Sequence, residues 1–183
     1  MRLRITFAVV FVAVLAQSAA TQHSQRDVQI KKLAQALVGT WNISETDEPS
    51  PSAPKGETYS GTEVWSEPGG GPIMEQFHAK SSAGDQDETA IFWWDLKSQK
   101  YLGMWCAPIN DEGCNGFEGL WDGERLVLDG SWVFQGKRSA WREVFTFPTP
   151  VSFVQTLYIG DTAAELKLAS TIHGTRVTPK NKP

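Results

Sequence analysis

The sequence has little of what usually announces chemistry. Its 183 residues include three histidines and two cysteines. The cysteines, Cys106 and Cys114, are not spaced Cys-x-x-Cys and have no histidine nearby, so neither a redox couple nor a zinc-type site is framed. No Gly-x-Ser-x-Gly elbow marks a serine as a nucleophile. The run Gly69-Gly70-Gly71 lacks the following helix and lysine that would turn glycines into an anion cradle. Positive charge is also scarce. With 17 Lys and Arg against 21 Asp and Glu, the formal charge is −4 and the pI about 5.4, which argues against a nucleic-acid surface.

No apolar run reaches the roughly 20 residues that a spanning helix needs. The longest, Ile5 to Ala16, follows two arginines and is itself followed by Gln17-Ser18-Ala19-Ala20, with small residues at Ser18 and Ala20. That order predicts a signal peptide over residues 1–20, cleaved after Ala20, and export to the periplasm or beyond. No cysteine follows the run, so a lipid-anchored mature end is not expected. Cleavage removes Arg2 and Arg4 and no acid, leaving 15 basic residues against 21 acidic ones, a charge of −6. Such a surface repels phosphate backbones and anionic headgroups alike. Neither a nucleic-acid partner nor stable membrane association is expected, and nothing in the sequence sets an oligomeric state. In an oxidising compartment Cys106 and Cys114 read as a disulfide stapling a hairpin loop, a stabilisation of about 2–3 kcal/mol.

What is present is aromatic and β-branched. Eight Trp and nine Phe exclude a solvated coil. Residues 21–38 form an N-terminal segment in which Asp27 to Leu37 shows helical spacing (Val28, Ile30, Leu33, Ala34, Leu37). From Gly39 to about residue 178 the pattern is strand after strand: Thr40–Ser44, Thr58–Ser66, Ile73–Lys80, Thr89–Leu96, Tyr101–Ala107, Asn115–Trp121, Arg125–Phe134, Ser139–Phe147, Ser152–Gly160 and Glu165–Val177. Asp122-Gly123 is a hairpin signal. Pro68 to Pro72 and Pro148-Thr149-Pro150 interrupt pairing, because proline lacks the ladder donor. Residues 179–183 read as a disordered tail. Ten short strands on hairpin-length connections predict an all-β fold, a closed antiparallel meander barrel capped by a short helix, since closure removes sticky edges. The proline-rich stretch Asp47 to Gly56 is a long loop that either covers the barrel mouth or overhangs in solvent.

Leu37-Val38-Gly39-Thr40-Trp41, a Gly-x-Trp opening the first strand after a short helix, resembles the start of calycin, or lipocalin-like, barrels. That resemblance implies that Trp41 closes the barrel floor against an arginine of the last strand, here Arg176; a guanidinium on an indole is a sound physical pair. The wider series resembles a family of exported bacterial lipocalin-like barrels defined only as a domain of unknown function. It comprises Gly39-Thr40-Trp41, Gly70-Gly71 before Met74-Glu75-Gln76, Trp94-Asp95, Lys100-Tyr101, Met104-Trp105, Phe117-Glu118-Gly119, Leu126-Leu128-Gly130, Arg142-Glu143-Val144 and Thr175-Arg176. It spans roughly residues 33 to 177 and implies a fold but no catalytic residue. This chain departs from it at Asn42 and Ser44, where relatives carry glycine, and in the cysteine pair.

Candidate sites follow from alternation. Glu75 and His78 are three apart on a strand and face opposite ways, so they cannot share a metal. The cluster Asp85, Asp87 and Glu88 lacks the calcium-loop glycine and distal glutamate and reads as a solvated hairpin tip. The sequon at Asn42 falls in a strand predicted to be buried. His173 on the last strand resembles the late histidine of haem-binding barrels and would matter only if haem were bound; no metal or cofactor is expected. Phe92 and Trp94 share a face, as do Trp141, Glu143, Phe145 and Phe147, and Phe153, Gln155 and Leu157. Mixed apolar and polar faces favour a ligand cavity over a filled core. The expectation is a barrel that binds a small, largely apolar molecule at Trp41, Glu75, Phe77, Trp94, Trp105, Trp141 and Arg142, with Glu75 and Arg142 as polar anchors. The alternatives are a cavity enzyme using Glu75, Asp95 or Arg142, and a structural or protein-interaction barrel that docks through the 47–56 loop.

Overall fold

The computed structural model describes residues 25–50 and 53–178. The expected signal peptide, its expected cleavage after Ala20 and the expected tail at residues 179–183 lie outside the described residues. A helix, α1 (residues 25–37), leads into ten strands: β1 (Gly39–Asp47), β2 (Glu57–Ser66), β3 (Ile73–Lys80), β4 (Asp85–Asp95), β5 (Lys100–Cys106), β6 (Cys114–Asp122), β7 (Arg125–Phe134), β8 (Lys137–Thr149), β9 (Ser152–Gly160) and β10 (Lys167–Arg176). Each strand pairs antiparallel with its sequence neighbours, and β1 pairs with β10 to close the barrel. This is the lipocalin-like meander. Among the described residues no helix is long and apolar enough to cross a membrane.

Helix α1 plugs one end. Ile30, Leu33 and Leu37 recur at helical spacing and are buried in the core, while its backbone carbonyls bind the barrel rim. Gln29 O accepts from the Tyr101 hydroxyl at 2.8 Å, and Leu37 O from Trp41 Nε1 at 2.7 Å. Arg176 Nη2 donates to Ala36 O at 2.9 Å, and Nη1 donates to Val38 O. The Arg176 guanidinium carbon lies 4.1 Å from the centroid of the Trp41 ring. Gly39 makes this approach possible. Its φ is +145°, and a Cβ there would lie 2.6 Å from Arg176 Nη1.

All ten predicted strands are present, and several extend further than the residue pattern suggests. β4 begins at Asp85 rather than Thr89, because Asp85 and Asp87 face outward and pair with Lys80 (3.0 Å) and His78 (2.6 Å) across the β3–β4 ladder. The supposed hairpin tip at Asp85 to Glu88 is therefore regular strand. β8 runs through Pro148 to Thr149 by a register shift between Thr146 and Thr149, so this proline bends the ladder without ending it.

At the other end no helix among the described residues covers the opening. There Cys106 and Cys114, cross-strand partners on β5 and β6, form a disulfide. The loop they enclose is pinned by buried Asn110, which donates to Asn115 Oδ1 at 2.6 Å, and by Asp111 N to Val133 O at 2.8 Å.

Replacing Arg176 with Ala removes a cation–π contact and two hydrogen bonds to carbonyls. The expected loss is about 2–3 kcal/mol, roughly 5–10 °C in Tm for a domain of this size. Arg176→Lys should recover only part of it, since an ammonium cannot bridge both carbonyls in the fork geometry. Thermal unfolding by circular dichroism measures both.

Candidate functional site

Inward residues alternate along each strand, and the lumen they fill has two layers. Nearest the helix, six rings form a continuous floor. Trp65 meets Phe92 at 5.2 Å between centroids, Phe92 meets Phe117 at 4.8 Å, Trp41 meets Phe153 at 4.9 Å and Phe145 meets Phe153 at 5.7 Å. Two residues further along their strands from Trp65, Phe145 and Phe153 stand Glu63, Glu143 and Gln155. Four further from Trp41 and Phe92 stand Glu45 and Glu88. Glu75, the cross-strand partner of Trp65, completes a set of five inward carboxyls. Toward the open end the walls are Phe77, Trp105, Trp132, Trp141, Leu157 and Ile159, with Trp105 and Trp132 in contact at 5.9 Å.

No basic group neutralises these acids. Among the described residues none of the five belongs to an ion pair. Burial away from water penalises the charged carboxylate, and every one of the five is shifted upward. Glu63 is fully buried and pushed up to about 7 by burial, opposed by hydrogen bonds with Glu75 and with Trp65, whose Nε1 donates to Oε1 at 2.6 Å. Glu75 is driven well above the usual carboxylate range by burial, then by Glu63 and Glu143. The two carboxyls act on each other, and burial holds both above the usual carboxylate range. Glu88 is raised by burial against a 2.7 Å bond from Trp105 Nε1.

Glu143, on the facing wall, is raised to about 8 by burial and by Glu88, Glu63 and Glu45, partly offset by the Gln155 amide. Glu45 is raised to about 8 by burial and Asp47, with Ser170 opposing. The carboxyls surround a volume rather than a point. Among the described residues no three His, Cys, Asp or Glu converge closely enough to hold a metal ion.

The nominated residues separate into three groups. Glu75, Phe77, Trp105 and Trp141 line the lumen above the floor, and Gly130 lets the Trp141 ring lie flat, since a Cβ there would sit 2.3 Å from it. Trp41 and Trp94 belong to the helix end, Trp94 against Tyr101 at 5.0 Å, with Arg176 over Trp41. Arg142 does not join them. It lies on the outer wall, where its Nε donates to Asp129 Oδ1 at 2.7 Å, because the even positions of β8 face out when Trp141, Glu143 and Phe145 face in. Glu75 and Arg142 therefore cannot anchor one ligand. Asp95 caps an exposed turn through Ser98, and His173 is exposed on the outer wall opposite Ser44 and Val154, so neither reaches the lumen. Residue reading missed Glu45 and Glu63 and took Glu88 for a solvated loop acid. The signal was parity: Glu63 sits two before Trp65, and Glu88 sits two before Ala90 and four before Phe92.

No family model matches the chain, and no curated protein matches it. Solved structures that share its fold include the following two. Rv2717c from M. tuberculosis is 11% identical with a TM-score of 0.57, over 81% of this chain and 97% of that one. The S-type phycobiliprotein lyase CPES from Guillardia theta is 16% identical with a TM-score of 0.56, over 82% and 94%. At such identity the likeness establishes a lipocalin-like barrel and nothing finer.

A carboxyl whose folded pKa exceeds its unfolded value contributes fully below the unfolded pKa, and that contribution is lost as pH rises through the folded one. Here the window opens near 4.5 and runs through about 7 for Glu63 and about 8 for Glu45 and Glu143. Glu57 and Asp95, held low by serine hydrogen bonds, have the opposite sign and act only in acid. Tm should therefore fall steadily between about pH 5 and about pH 9, and Glu143→Gln should flatten the fall. A Tm that is level or rising across that range would show the carboxyls to be solvated.

Proposed function

We propose that the protein is an exported lipocalin-like barrel that binds a small molecule in the lumen above its aromatic floor, and that it belongs with the exported bacterial barrels its sequence resembles. The observation that carries this reading is the change in lining along the axis. Below, rings pack on rings. Above, Glu75, Glu88, Glu143, Trp105, Trp132, Leu157 and Ile159 all point inward yet are only partly buried. A barrel that was merely structural would continue the packed aromatic layers upward, because burying apolar groups stabilises and burying carboxyls does not.

The Cys106–Cys114 disulfide supports export, since such bonds persist in oxidising compartments. Indole faces suit an apolar ligand body, and a few fixed polar groups give it orientation. The open end, bordered by residues 48–50, 53–56 and 161–166, is the entry. A second reading, a cavity enzyme, has one specific observation behind it: Glu63 and Glu75 are neighbouring buried carboxyls, both raised above the usual carboxylate range by burial, as groups in general acid–base chemistry are.

Native mass spectrometry of the mature protein from an exporting host should show a reproducible added mass that is lost on denaturation. Trp105→Ala, which removes a lumen wall and the donor to Glu88, should weaken retention of that ligand by about tenfold or more while lowering Tm by only a few degrees. A large Tm loss with unchanged retention would instead make Trp105 core.

A further inference from the structure

We propose that the lumen selects an organic cation: a protonated amine or guanidine on an apolar or aromatic body, its charged head among Glu63, Glu75, Glu88 and Glu143 and its body against Trp105, Trp132 and Trp141. The inference rests on the small-molecule reading above and names the ligand's class.

Three independent features point the same way. The first is charge. Five carboxyls from β1, β2, β3, β4 and β8 face the lumen, and among the described residues none of them has an ion-pair partner. An organic cation supplies the missing charge, and its N–H groups supply charge-assisted hydrogen bonds to several carboxylates at once. A bare metal ion does not fit, because the acids do not converge on a point.

The second is an orphaned acceptor. Gln155 is 6% exposed, and its Oε1 has no hydrogen-bond partner. It points into the same layer as Glu143, whose upward shift its amide opposes. A buried carbonyl oxygen without a donor costs about 1–3 kcal/mol. Once a cation has ionised the surrounding carboxyls they can only accept, and the ammonium or guanidinium itself is the donor available to Gln155 Oε1.

The third is the wall. Indole faces attract cations, and Trp105, Trp132 and Trp141 line the same lumen as the acids, with Trp105 Nε1 donating to Glu88. The net acidic chain further favours cation approach.

Binding a cation favours ionised carboxylates, so uptake releases protons. The titratable groups facing the site are Glu45 and Asp47 from β1, Tyr59 and Glu63 from β2, Glu75 from β3, Glu88 from β4 and Glu143 from β8. β9 and β10 contribute only Gln155 and Ser170 at this level.

The test uses the mature full-length chain with three matched probes: 2-phenylethylamine, the neutral 2-phenylethanol and the anionic phenylacetate. Calorimetry at about pH 6 and about pH 8 spans the ionisation of the cluster. The amine should bind at least about tenfold tighter than the alcohol, phenylacetate should not bind, and the amine's advantage should widen at the higher pH with buffer-dependent heat from released protons. Glu143→Gln and Glu75→Gln, near-isosteric and checked for an intact Tm, should each reduce the preference for amine over alcohol severalfold. Glu118→Gln on the outer wall should leave it unchanged.

Alcohol binding as tight as amine, a co-purified ligand with no basic nitrogen, or a preference unmoved in both lumen variants would overturn the cation assignment and leave the binding reading standing. No binding by any probe, together with a bare polypeptide mass in native spectrometry, would overturn the binding reading itself.

Discussion

Parity is the constraint on which the rest of this protein depends. A closed barrel has no edge at which a strand can rotate or slip, so every second residue must face the lumen once one inward residue per strand is set. The aromatic floor does the setting. Trp65, Phe145 and Phe153 must point inward to make it, so Glu63, Glu143 and Gln155, two residues on, must point inward as well. The acids reach the interior because the backbone sends them there, and the sequence keeps them where valine or leucine would stabilise the fold. Polar groups retained against the interest of packing are a mark of function rather than of folding.

The two ends of the barrel meet this cost differently. At the helix end nothing is left open. Leu33 and Leu37 fill the mouth, Trp41 and Tyr101 hydrogen-bond to helix carbonyls, and Arg176 ties the last strand to the segment before the first. At the acidic end no element among the described residues forms a plug. Rigidity comes from the rim instead, from the disulfide across β5 and β6 and from Asn110, which holds the enclosed loop against Asn115. An end with few buried apolar contacts is where a fold opens first, and stapling the rim without filling the mouth keeps the opening at one size.

Much of the fold was legible because it rests on local chemistry. The ten strands follow from β-branched and aromatic runs between turn residues, and closure follows from hairpin-length links with no crossover. The helix and the disulfide partners were legible for the same reason. Errors fell where tertiary pairing overrides composition. Asp85 to Asp87 reads as a polar turn, and becomes strand only because Lys80 and His78 stand opposite. Pro148 reads as a break, and is absorbed by a bulge. The site was half legible. Trp105, Trp141, Phe77 and Glu75 are expected at a ligand from residue type alone, and the strand registers turn them inward; Arg142, expected beside them, is turned outward, because adjacent residues on a strand cannot share a face. Glu45 and Glu63 were overlooked because each acid alone looks like surface; only the register of β1 and β2 with the other strands gathers them.

The gathered acids also explain why the site differs from an ordinary apolar pocket. Each carboxyl alone would be a modest expense, eased by a proton or by an indole N–H. Together they raise one another, as Glu143 is raised across the lumen by Glu88, Glu63 and Glu45. The cluster therefore stays largely protonated when no counter-charge is present, and the fold is strained wherever solvent pH removes those protons. A ligand that favours the ionised cluster acts on the same quantity from the other side, because whatever binds the native state alone stabilises it. The free energy by which the acids weaken the empty barrel at alkaline pH is thus recoverable on binding, but only by a molecule bringing positive charge to a place water reaches poorly.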